Sequence, residues 1–218
     1  MASPVLIEAC IDDASTARAV VDAGAGRIEL CGPGNGGTTP TADAIRECRS
    51  SVDVPVHVMI RPHDGAFVYD DDELAVMVDS LAMARECGAH GVVFGPLTRS
   101  GRIADSELGL LVGAARGMHT VFHRAFDRVP DPRAALDTLI EYGVGSVLTC
   151  GNSTNAEAGA DMLRELRERA AGRLNILAGG GVRAANVRSL VDRSGVTQVH
   201  ARGTDPSIIA AISAALQH

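Results

Sequence analysis

Lysine is missing from this chain: all 20 residues counted as Lys or Arg are arginine. A Schiff-base aldolase or a pyridoxal phosphate enzyme needs a lysine amine, and a Walker-type loop needs its lysine on the β- and γ-phosphates, so these chemistries are excluded. Positive charge is also short, with a formal net charge of -7. An acidic surface repels nucleic acid phosphates and anionic lipid headgroups, so neither nucleic acid nor membrane is expected as a partner. No apolar run approaches the roughly 20 residues of a membrane span, and the opening Met1-Ala2-Ser3-Pro4-Val5 lacks the basic stretch and long apolar core of a signal peptide. The expectation is a soluble cytoplasmic protein. There is no Cys-x-x-Cys, and the five cysteines (Cys10, Cys31, Cys48, Cys87 and Cys150) are an odd number in a chain long enough to fold unstapled, which predicts reduced thiols. In that setting the sequon Asn152-Ser153-Thr154 reads as loop polarity rather than a glycosylation site.

What is present is a rhythm. The 218 residues, 46% hydrophobic, suffice for one domain spanning residues 1–218. Short apolar runs alternate eight times with segments of helical period. The runs lie near Val5 to Ala9, Arg27 to Leu30, Val56 to Ile60, Val92 to Phe94, Thr120 to Phe122, Ser146 to Leu148, Ile176 to Ala178 and at Val199. The spacing of about 27 residues per round is close to one strand plus its crossover helix. Helix starts are marked by Asp12 or Asp13, by Thr39 before Pro40, and by the Asp70 to Asp72 run. Asp105, Asp131 before Pro132, and Asp205 before Pro206 mark the later ones. A stripe of Ala17, Val20, Val21 and Ala23 precedes a stop at Gly24. This predicts a TIM (β/α)8 barrel, with a doubly wound open sheet as the alternative. A barrel gathers its site at the C-terminal ends of many strands, an open sheet at one switch point.

Side chains alternate faces along a strand, so Leu6, Glu8 and Cys10 share one face, Arg27, Glu29 and Cys31 another, and His57, Met59 and Arg61 a third. The opposite faces are apolar, as helix packing requires, so the charged sets are expected inside the barrel. Buried charges cost several kcal/mol unless paired, so Glu8, Arg27, Glu29 and Arg61 must satisfy one another or face a wet cavity. The plainer alternative is an internal ion-pair network that only fills the barrel.

The fifth run ends in His123, Arg124 and Asp127, a group able to move protons and hold an anion; alternatively His123 is a core residue and Asp127 a helix cap. His200 closes the eighth run. Gly179-Gly180-Gly181 and Ala201-Arg202-Gly203 follow the seventh and eighth runs, where barrels commonly bind phosphate, so Gly180, Gly181 and Arg202 join the anion-binding candidates. Gly32, Gly34 and Gly37 fit G-x-G-x-x-G without the acidic residue a ribose needs, and Gly36-Gly37 is more simply a tight turn. Cys10 and Cys31 end adjacent strands, which sets their sulfurs within a few ångströms; soft thiolates favour Cu(I) or zinc, against the alternative of small buried hydrophobes. Cys48 and Cys87 read as structural, and Cys150 faces the same mouth.

These residues also carry a likeness. Glu8-Ala9-Cys10, Ala25-Gly26-Arg27-Ile28-Glu29-Leu30-Cys31, Gly36-Gly37-Thr38-Thr39-Pro40, Met59-Ile60-Arg61-Pro62 and Thr120-Val121-Phe122-His123-Arg124-Ala125-Phe126-Asp127 resemble the CutC family. The likeness runs from about residue 5 to residue 203 and includes Val147-Leu148-Thr149, Gly151 and Gly179-Gly180-Gly181-Val182. It implies a cytoplasmic TIM barrel, often homo-oligomeric, associated with Cu(I) binding and copper tolerance, with Cys10 and Cys31 as the copper thiols. The chain departs from the family in having Cys150 where serine is usual and Ala201-Arg202 where small polar residues are usual. Two functions are therefore expected. One is copper homeostasis through Cys10 and Cys31. The other is an enzyme acting on a small anionic phosphate or carboxylate metabolite. It would use Glu8, Glu29, His57, His123 and Asp127 as proton-transfer candidates and Arg27, Arg61, Arg124 and Arg202 as anion holders.

Overall fold

The computed structural model describes residues 4–33 and 37–217; Met1 to Ser3, Gly34 and Gly36 of the sequence-level readings lie outside these. Eight parallel strands, β1 (Leu6–Ile11), β2 (Arg27–Leu30), β3 (Val56–Met59), β4 (Gly91–Phe94), β5 (His119–Phe122), β6 (Ser146–Thr149), β7 (Asn175–Gly179) and β8 (Gln198–Arg202), follow one another around a closed barrel. Closure comes from β8 pairing back onto β1, Leu6 against Gln198 through Cys10 against Arg202. An open sheet is thereby excluded. The helices α1 (Ala17–Asp22), α2 (Ala42–Ser51), α3 (Asp71–Glu86), α4 (Asp105–Ala114), α5 (Pro132–Glu141), α6 (Ala160–Ala170), α7 (Ala184–Ser194) and α8 (Pro206–Gln217) form the outer ring. Among the described residues no helix is long and apolar enough to cross a membrane.

Strand alternation divides the core in two. Outward residues such as Ile28, Leu30, Val56, Val58 and Ile60 are fully buried against the helices, each contributing about 1.5–3 kcal/mol over exposure. A second, smaller cluster fills the barrel itself: Cys31, Met59, Val93, Val121, Leu148 and Leu177, with Cys10 packed on it. The inward faces expected for β1, β2 and β3 are the observed ones.

Helix starts follow the capping chemistry with local corrections. Asp70 and Glu73 form a reciprocal capping box on α3, and Asp131 accepts from the amides of Arg133 and Ala134 at the start of α5. Asp13 caps a short 3-10 turn, Ala14–Thr16, rather than α1 itself. The cap of α2 is Thr41, not Thr39, because the Thr39 hydroxyl is taken by the Arg61 amide at 2.9 Å where β3 ends. Asp105 is the first residue of α4, after Ala104, and serves its positive end without capping it.

Candidate functional site

The lowest polar layer in the barrel is an ion-pair floor. Glu8, fully buried on β1, accepts from Arg27 Nε at 2.5 Å and meets His200 Nδ1 at 2.7 Å, while Arg27 also donates to Gln198 Oε1 at 3.0 Å. Burial alone would raise the Glu8 carboxyl, but the Arg27 charge and the His200 bond overcome it and hold the group well below the usual carboxylate range. His57 stacks on His119 with ring centroids 5.2 Å apart, and His119 Nε2 bonds Ser146 Oγ at 2.8 Å. Room for these rings comes from glycine: a Cβ at Gly91 would stand 2.5 Å from His57 Cδ2, and one at Gly145 would stand 2.4 Å from His119 Cε1. His57 lies 3.7 Å from Glu8 Oε2 but forms no ion pair at neutral pH, since burial pushes its pKa down to about 3.

One step toward the C-terminal end sits the thiol pair. Cys10 and Glu29 are in register across β1 and β2, and Cys31 lies two residues beyond Glu29 on the same face. The two sulfurs are 3.9 Å apart, and Cys31 Sγ is 3.6 Å from Glu29 Oε1. Ligating atoms of Cys10, Glu29 and Cys31 all fall within 4.8 Å of one another, a span that one ion with metal–sulfur bonds of roughly 2.3 Å can bridge. All five cysteines are free thiols.

Protonation in this layer is collective. Hydrogen bonding from Cys31 pulls the Cys10 thiol well below its usual value, helped by His200 and opposed by burial; the same bond, with burial, pushes Cys31 well above it. Burial, then the Cys10 charge, raises the Glu29 carboxyl. Burial disfavours a charged His200, but Glu29, Cys10 and Glu8 around it prevail and raise its pKa. The four groups titrate together: negative charge in the layer favours a protonated His200, and the bond between the two thiols lowers one at the other's expense.

Above the thiols the barrel opens into a cavity of about 420 Å³. Of the candidates read from sequence, Cys10, Glu29, Cys31, Arg61, His123, Arg124, Arg202 and His200 line it. The full convergence expected from sequence is corrected: Glu8, Arg27 and His57 belong to the floor below. Asp127 turns away, its carboxylate accepting from Thr149 Oγ1, the amides of Cys150 and Asn152, and Arg124 Nε, so it ties the β6 loop to the end of β5. Gly180 packs toward Arg124 and Cys150 and, with Gly181, lies off the cavity. Cys150 is fully buried behind it, its Sγ 3.0 Å from the Ser153 carbonyl, and so does not face the mouth.

Sequence reasoning missed Phe67 and Arg128 at the cavity wall. Phe67 lies in the long loop after β3, and the guanidinium carbons of Arg61 and Arg128 each sit 4.8 Å from its ring centroid. The signal was the length of the segment between Arg61 and Asp70, since barrel sites are built from βα loops. His119, likewise unremarked, completes the floor.

The sequence matches the CutC family over residues 5–204. It is 44% identical over 197 residues to the mouse (Mus musculus) copper homeostasis protein cutC homolog, covering 89% of this chain and 72% of that protein. Against the human (Homo sapiens) copper homeostasis protein cutC homolog it is 42% identical over 210 residues, 94% of this chain and 77% of that protein. The crystal structure of the putative copper homeostasis protein CutC from Streptococcus agalactiae superposes with a TM-score of 0.87 at 33% identity, over 92% of this chain and 100% of that one. Thiamine phosphate pyrophosphorylase from Pyrococcus furiosus, with a TM-score of 0.68 at 14% identity over 98% of this chain and 96% of that one, shares the fold alone.

Proposed function

Taking as premise that the chain belongs to the CutC family, we propose that it serves cytoplasmic copper homeostasis by binding Cu(I) through the sulfurs of Cys10 and Cys31. The observation that carries this reading is the pair of sulfurs 3.9 Å apart at the barrel mouth, with a Glu29 oxygen 3.6 Å from Cys31. Two thiols with one carboxyl match a soft monovalent ion better than a hard oxygen-seeking one. The lowered pKa of the Cys10 thiol eases the deprotonation that metal binding requires. Five unpaired thiols fit a reducing compartment, and the relatives named for copper homeostasis support the same assignment.

The test is an anaerobic Cu(I) competition titration against a chromogenic chelator, on the wild type, Cys10→Ser and Cys31→Ser. The expected result is one tight site per chain that either substitution weakens by at least tenfold. Weak binding indifferent to both thiols refutes the proposal.

A further inference from the structure

A copper ion held between two sulfurs leaves most of the mouth cavity unused. Its volume of about 420 Å³ lies in the range of pockets that enclose small organic ligands, and its wall has features that two metal thiols do not need. His123 lies on the wall contributed by β5, 5% exposed. Its Nδ1 accepts the Ala125 amide at 3.2 Å, so the single proton of the neutral ring is on Nε2. Burial, reinforced by the Arg61 charge, holds that ring neutral with a pKa of about 3. Nε2 has no hydrogen-bond partner among the described residues, and buried donors are otherwise almost always satisfied.

Positive charge gathers nearby. Arg61 and Arg128 stack on Phe67, and Phe67 in turn lies against the His123 ring with centroids 4.8 Å apart. Neither Arg128 nor Arg202 has a carboxylate partner among the described residues, whereas Arg124 is paired with Asp127. Asp12 and Asp64 stand at the rim as counter-charges. Guanidinium groups match planar carboxylates in two-point contact, and a neutral imidazole N–H is suited to an uncharged carbonyl oxygen. The glycine turn after β7, where barrels commonly seat phosphate, lies off this cavity, which favours a carboxylate over a phosphate ester.

We propose that the mouth cavity is a second binding site, for a small 2-oxo acid whose carboxylate pairs with Arg128 and whose keto oxygen accepts the Nε2–H of His123. Copper and the oxo acid would be held by different residues of one cavity: His123 and Arg128 follow β5, whereas the thiols come from β1 and β2.

The test uses reduced, copper-free full-length protein, with pyruvate and 2-oxoglutarate as probes and acetate and inorganic phosphate as controls, read by thermal shift and calorimetric titration. Binding stabilises the native state by linkage, so at least one 2-oxo acid raises Tm with a Kd at least tenfold below that of acetate and of phosphate. Arg128→Ala, at an exposed position, weakens this binding at least tenfold, and its ligand-free Tm, measured alongside, separates lost binding from lost stability. Cys31→Ser retains it, which separates this site from the copper reading. No stabilisation by either 2-oxo acid, binding no tighter than acetate or phosphate, or binding unchanged in Arg128→Ala each overturns the proposal.

Discussion

Lowering the pH from 7 to 5 should destabilise the fold through His57, and the size of the effect follows from its burial. The ring is 3% exposed beneath the thiol layer, and Arg27 already compensates the Glu8 carboxylate that would otherwise favour its proton. Burial therefore dominates and pushes its pKa down from 6.5 to about 3. In the unfolded chain the imidazole titrates normally, about one-quarter protonated at pH 7 and almost fully at pH 5. The folded ring stays neutral across that range. A base with a depressed folded pKa makes the unfolded state take up protons that the native state refuses, so stability falls as pH falls. Integrated from pH 7 to 5 the loss is about 2 kcal/mol from this one group. Other groups move too: His200 works in the opposite sense, and Cys10 and Glu29 shift in opposing directions. The isolating measurement is thus a difference. Urea unfolding of the wild type and of His57→Gln at pH 7, 6 and 5 should show the wild type losing about 2 kcal/mol more than the variant. Parallel pH profiles would refute the reasoning, because they would mean that His57 titrates alike in both states.

Two further outcomes test the floor. Glu8→Leu strands the buried Arg27 guanidinium and should cost about 3–5 kcal/mol by denaturant unfolding, while Glu8→Leu with Arg27→Met should recover most of it; equal losses in both would show that the pair is not coupled. Gly91→Ala places a Cβ 2.5 Å from His57 Cδ2 and 2.8 Å from the His119 carbonyl oxygen. A cost of about 1–3 kcal/mol is expected from this overpacking, seen as a Tm several degrees lower; an unchanged Tm would contradict the proposed seat for the ring.

The inward set was legible because face alternation is a local property: two residues along a strand return to the same side, whatever the rest of the chain does. Glu8 with Cys10, Glu29 with Cys31, and Met59 with Arg61 followed from that alone. Height in the barrel was not legible. Whether an inward side chain belongs to the floor or to the cavity depends on the stagger between strands, and the register pairs Glu8 with Arg27 but Cys10 with Glu29. Glu8, Arg27 and His57 therefore looked like mouth residues until the neighbours were known. Asp127 misled for a different reason. Its nearness in sequence to His123 suggested partnership, but its hydrogen bonds go to Thr149 and Cys150, whose arrival at that strand end is set by the β5–β6 pairing. Phe67 and Arg128 carry no motif of their own, and their contact forms only when the β3 and β5 loops meet.

The order of the layers also constrains what the thiol pair can bind. In the floor, Glu8 faces two cations, Arg27 and His200, and compensates only one of them. The positive charge that acidic neighbours favour at His200 in turn favours negative charge one step higher, at the thiols. A monovalent ion that takes the place of one thiol proton leaves the net charge of this layer unchanged, whereas a divalent ion replacing a single proton adds a charge that a buried site must compensate, at a cost of several kcal/mol. If the thiols bind Cu(I) as proposed, discrimination against zinc resides less in the sulfurs, which suit both, than in the positive charge favoured at His200 beneath them.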